Sequence, residues 1–127
     1  MSFTCPECQT PRNLGITQRI ELPADSRSDE IALQLLKCRS CGFNALAIYE
    51  ESRRGALDDD SFDHTGYHAT SDELERIRQL IEVCPDISNS RCDCESHRIL
   101  SETNEYGRND LTRLFSYQGS FALIYNA

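Results

Sequence analysis

Glu30-Ile31-Ala32-Leu33-Gln34-Leu35-Leu36-Lys37-Cys38-Arg39-Ser40-Cys41-Gly42 decides the fold, because it reads two ways. Its Ala and Leu content suits a helix. It also runs directly into a C-x-x-C pair, and a second pair, Cys5-Pro6-Glu7-Cys8, stands upstream. Four thiolates in two close pairs can close a tetrahedral shell around one ion. Two residues between cysteines let a tight turn aim both sulfurs at that ion, and Gly42 suits such a turn because glycine accepts positive φ. Ligands placed this way favour a strand over residues 30–37.

Neighbouring segments agree. Leu14 to Leu22 alternates imperfectly and stops at Pro23, which reads as a strand, and residues 24–29 are small and polar, as in a turn. Asn44 to Glu50 supplies a third strand, with Ile48 and Tyr49 contributing β-propensity. Three strands with two ligand pairs at their ends make a metal-stapled sheet.

On these residues, Cys5-Pro6-Glu7-Cys8 and Cys38-Arg39-Ser40-Cys41-Gly42 with strands between and after them, the chain resembles a zinc ribbon over about residues 3–50. The resemblance implies a structural zinc and a small antiparallel sheet. It does not select a function, since zinc ribbons serve transcription factors, ribosomal proteins, enzymes and adaptors. The spacing is also similar to that of rubredoxin, which would put redox iron at this site. The chain departs from that pattern: Arg39 stands where rubredoxin has proline, Gln9 and Thr10 follow the first knuckle where an aromatic belongs, and tryptophan is absent.

Seven cysteines are present. The odd number argues against full disulfide pairing, and in a reducing cytosol clustered cysteines read as metal ligands. Cys84, Cys92, Cys94 and His97 fall close together. Cys94 and His97 are three apart, so a helical turn places them on one face. They form the expected second shell, with His64 or His68 as the substitute ligand if Cys84 is a core residue. Cys84 invites that alternative because it continues the apolar stripe Leu74, Ile77, Leu80, Ile81 of a helix. Thr70 as N-cap and Glu73 three residues later start that helix as a capping box, and Pro85 ends it. A shorter helix is expected from about residue 95 to 103.

Residues 53–69 show no period and are expected to form an acidic loop, with Asp58, Asp59, Asp60, Asp63, His64 and His68 exposed. The end of the chain, 111–117 with 120–125, reads as a hairpin around Gln118-Gly119. The expected architecture is α+β: one compact domain over 1–127, with a zinc ribbon (1–52), the loop (53–69), a helix with a Cys/His knuckle (70–103) and a C-terminal hairpin (104–127).

The formal charge is −8. Filling both sites brings it to about −11, because a four-thiolate zinc replaces neutral thiols by a net −2 unit and a three-thiolate, one-imidazole zinc adds −1. Such a chain is not steered to phosphate backbones, so a protein partner is favoured. A nucleic-acid role would need a local basic face from Arg53 and Arg54 with Arg12 and Arg19, or from Arg91 and Arg98. No apolar run is long enough to span a bilayer, and Met1 to Cys5 does not open a secretion signal, so a cytoplasmic location is expected. Both predicted ligand sets are saturated by protein, which leaves no coordination position for substrate. The sequence therefore points to a non-catalytic zinc-binding module with two zinc ions per chain, working as an interaction or adaptor domain. The enzymatic alternative is a metal-dependent hydrolase built on Asp63, His64 and His68.

Overall fold

The structure is a computed structural model that describes residues 2–53, 61–116 and 118–126. Strands β1 (Ser2–Phe3), β2 (Leu14–Leu22), β3 (Glu30–Cys38), β4 (Asn44–Ser52) and β5 (Ser61–Tyr67) are followed by helices α1 (Ser71–Glu82) and α2 (Glu95–Leu100). A short 3-10 helix (Leu111–Leu114) and strands β6 (Ser120–Ala122) and β7 (Tyr125–Asn126) complete the chain. The strands form one antiparallel sheet in the order β6-β5-β4-β3-β2-β1-β7. The α+β expectation and the strand reading of 30–37 both hold, with β3 extending one residue further to Cys38.

β6 and β7 stand at opposite ends of that order, yet only Leu123 and Ile124 separate them in the chain. A sheet whose two edges are joined by two residues must curl on itself. The curl gives β3 two buried faces. Ile31, Leu33 and Leu35 point outward into a cluster with Ile77 and Ile81 of α1, Leu100 of α2, and Leu111, Leu114 and Phe115. Leu36 and Cys38 point inward to Phe3, Cys5, Leu14 and Ala47, with Phe43, Phe121 and Leu123 packed around them. A strand buried on both faces loses the polar alternation of a half-buried one, which is why this stretch is ambiguous as sequence.

Two expectations are corrected. Residues 61–67 are not loop: β5 pairs with β4 from Leu46↔Tyr67 to Ser52↔Ser61. Asp58, Asp59, Asp60 and Arg54 lie outside the described residues. The C-terminal hairpin does not form either. Leu111–Leu114 is a 3-10 turn whose leucines fill the outer core, and the following strand splits between the two sheet edges, β6 on β5 and β7 on β1. The helix expectation holds closely. Thr70 caps α1, Glu73 N–H donates to its side chain, and the Glu73 carboxylate accepts from Thr70 N–H.

Candidate metal centres

The two C-x-x-C turns are built alike. Gln9 N–H donates to Cys5 O at 2.9 Å, and Gly42 N–H donates to Cys38 O at 3.1 Å. Cys5 N–H then donates to Thr10 O, and Cys38 N–H to Phe43 O. The residue closing each turn is left-handed: Gly42 at φ 76°, as anticipated, and Gln9 at φ 61°. One knuckle follows β1 and the other follows β3. Leu14↔Cys38 and Phe3↔Leu14 pairing holds both strands in one sheet and brings the knuckles face to face.

Their four sulfurs converge. Cys5 Sγ lies 3.7 Å from Cys41 Sγ, and Cys8 Sγ lies 3.7 Å from Cys38 Sγ. A tetrahedron of thiolates about 2.3 Å from a zinc has edges of about 3.8 Å. A disulfide would need about 2.05 Å. The spacing thus fits a metal shell, and iron–thiolate geometry fits it equally. Ser40 N–H donates to Cys38 Sγ at 3.4 Å and offsets part of its charge. The Thr10 hydroxyl, 3.2 Å from Cys8 Sγ, and the Thr10 amide pull that thiol down to about 6. Cys41 gains from the Phe43 amide, but burial and the neighbouring sulfurs outweigh it and push the thiol up to about 12. Packed thiols without a counter-ion cannot all ionise at once. A divalent cation removes that conflict.

The second cluster belongs to the outer core. Cys84 follows α1, Cys92 lies in the loop beyond it, and Cys94 caps α2, its sulfur accepting from His97 N–H at 3.3 Å. His97 Nδ1 is 3.3 Å from Cys84 Sγ and 3.2 Å from Cys94 Sγ, and Cys84 Sγ is 3.9 Å from Cys92 Sγ. Mixed zinc shells require sulfur–nitrogen edges of about 3.6 Å. The imidazole is buried, 2 % exposed, and its Nε2 lies 2.9 Å from Glu21 O of β2. A carbonyl only accepts, so Nε2 carries a proton and Nδ1 faces the Cys84 and Cys94 sulfurs. That is the tautomer a metal-ligating histidine needs. Cys84 both packs in the outer cluster and joins the sulfurs, so core residue and ligand are not alternatives.

Among the described residues, these two groups are where at least three ligating side chains bring their atoms within 4.8 Å of one another. The substitute ligands lie elsewhere. His64 sits on the inner face, with Nδ1 2.5 Å from Tyr125 Oη and Nε2 2.6 Å from Gln34 Oε1. His68 packs against Phe43 and Phe121. His64 is a strand residue and His68 lies in the segment between β5 and α1; both are half-buried rather than exposed. Asp63 and His64 are successive strand residues and so face opposite sides of the sheet; Asp63 pairs with Arg27 at 3.7 Å. The trio considered for hydrolysis does not converge. Glu21 escaped sequence reading because its contribution is a backbone carbonyl, which leaves no side-chain signature. No helix among the described residues is long and apolar enough to cross a membrane.

No protein-family model, curated protein or solved structure matches this chain.

Proposed function

We propose that the chain is a non-catalytic protein-interaction module held together by two structural zinc ions, one in Cys5, Cys8, Cys38 and Cys41 and the other in Cys84, Cys92, Cys94 and His97. The observation that carries this reading is the orientation of His97, whose Nε2 proton is committed to Glu21 O while Nδ1 meets the Cys84 and Cys94 sulfurs. Each shell is complete with four protein ligands. Zinc so enclosed stabilises structure and has no open position for water or substrate. Each centre also stands beside a different hydrophobic cluster, the first beside the inner one and the second beside the outer one. In a chain of 127 residues, metal supplements both cores.

Native mass spectrometry with elemental analysis tests the reading. Two zinc ions per chain are expected, and chelation should abolish cooperative thermal unfolding. Iron in the first centre would replace the structural role with electron transfer, and a single zinc would remove the second centre.

A further inference from the structure

We propose that the edge of β2 from Ile16 to Ile20 is the docking site for an extended, acidic segment of a partner protein, a reading that rests on the interaction role above. β1 is two residues long and covers β2 only at Leu14 and Gly15. At the other end, Glu21 N–H donates to Ile87 O at 2.8 Å and Glu21 O accepts from His97, so the second cysteine loop covers that point. Between these two covers, β2 has a strand on its β3 side and, among the described residues, none on the other.

The backbone in the gap is oriented to pair. Both Glu21 backbone groups face away from β3. Two residues earlier the strand repeats its orientation, so Arg19 N–H and C=O point into the gap. Thr17 and Arg19 are exposed, and the register slips between Ile16 and Gln18, a bulge that turns the strand here. An open edge of about five residues, or about 17 Å, suits one short added strand.

Charge selects the occupant. A depression of about 450 Å³ beside the bulge is lined by Arg12, Lys37 and Arg39 and by no acid. None of the three makes an ion pair among the described residues. Three cations exceed the net −2 of a loaded four-thiolate zinc next to them, so the patch stays positive on a chain of charge −8. A second depression, of about 510 Å³, continues along the same strand; Ile16, Ile81, Pro85 and Ile87 line it together with Arg19 and with Glu82, whose carboxylate is paired with Arg78. The trench thus has a basic end, an apolar end and an open backbone edge. An acidic residue and a run of alternating apolar residues complement it. A nucleic acid would satisfy the cations but not the strand edge.

The test is selection of random twelve-residue peptides displayed on phage against the zinc-loaded full chain, then titration of the enriched peptide. Enriched sequences should carry Asp or Glu at one end and alternating apolar residues at the other. Arg19→Pro removes one outward N–H without touching the β3 ladder. It should weaken binding about tenfold, as should methylation of alternate peptide amides, which leaves the protein's own fold unaltered. Lys37→Glu with Arg39→Glu should weaken it similarly, with zinc content unchanged. Peptide binding indifferent to all three changes overturns this surface and leaves the interaction role standing. Failure to enrich any peptide overturns both. Salt-steep binding of a single-stranded RNA that is lost with Lys37→Glu but kept with Arg19→Pro overturns the peptide in favour of a polyanion.

Discussion

His97 Nε2 and the carbonyl oxygen of Glu21 lie 2.9 Å apart, although 76 residues separate them in the chain. This contact ties the second cysteine cluster to the far end of β2, on the side away from β3, and sets which imidazole nitrogen faces the sulfurs. Two substitutions separate its roles. His97→Ala removes a ligand, and one zinc per chain should remain in native mass spectra. His97→Cys restores a fourth ligand but not the hydrogen bond to Glu21. It should keep two zincs while binding the second about 10–100-fold more weakly, the usual effect of losing an outer-shell partner. Competition with a chromophoric chelator reads that difference. Equal affinity in His97→Cys and wild type would show that the Glu21 contact contributes nothing to the centre.

The two knuckles repeat one turn with different residues at the left-handed position, Gly42 in one and Gln9 in the other. A side chain there costs roughly 1–2 kcal/mol. Gly42→Ala should therefore destabilise by about that amount, although open space surrounds the site and no clash arises. Gln9→Gly relieves the same strain, offset by about 0.5–1 kcal/mol of chain entropy and by the loss of the Gln9 Nε2 bond to Pro6 O. It should be neutral or slightly stabilising. Urea midpoints of the zinc-loaded variants distinguish the opposite signs.

Gly66 meets Phe121 more closely than any other residue type allows. A Cβ on Gly66 would stand 2.4 Å from the Phe121 ring, which is itself held by Phe43 and His68. Gly66↔Phe121 pairing is also part of the short register that fixes β6 on β5. Gly66→Ala should cost about 1–3 kcal/mol as an overpacking change. In Phe121→Leu the added methyl should cost less, so the double variant is less impaired than the sum of the single ones. Additive losses in thermal denaturation would show that the two residues do not share the constraint.

Sequence carried the local chemistry well. The cysteine spacing, the Thr70 and Glu73 box and the strands around Leu14–Leu22 and Asn44–Ser52 are each written within a few consecutive residues. What escaped was non-local. β5 reads Ser61-Phe62-Asp63-His64-Thr65-Gly66-Tyr67, without apolar alternation. Its inward positions are filled by what they meet: His64 faces Gln34 and Tyr125, and Gly66 makes room for Phe121. The chain from Ser120 to Tyr125 looks like one strand because nothing local reveals that the sheet curls and divides it between two edges. The second cluster was visible as ligand density, whereas its proof of orientation, the Glu21 carbonyl, belongs to another element.

That same curl creates a pH-sensitive position at His64. Gln34, only 4 % exposed, presents Oε1 to Nε2 at 2.6 Å, so Nε2 holds the proton, and the Tyr125 hydroxyl donates to Nδ1. Phe3 and Tyr49 close the ring edges, and the Tyr49 hydroxyl donates to Glu51 at 2.9 Å. Burial holds the His64 pKa below its ordinary value. The unfolded chain therefore binds this proton first as pH falls. The neutral form's stabilisation is complete above about pH 6.5, is lost as pH drops below that, and levels off once the folded state is protonated too. His64→Gln lacks the titration, so the stability gap between wild type and variant should narrow on going from pH 7.5 to 5.5. Chemical denaturation of both proteins at the two pH values measures the gap, and subtracting them cancels the shared acid sensitivity of the metal centres. The His64 C2 proton should titrate with a midpoint below 6.5 in NMR spectra; a midpoint above that value would mean the imidazolium is favoured inside the sheet, and the assignment of Gln34 Oε1 to Nε2 would have to be abandoned.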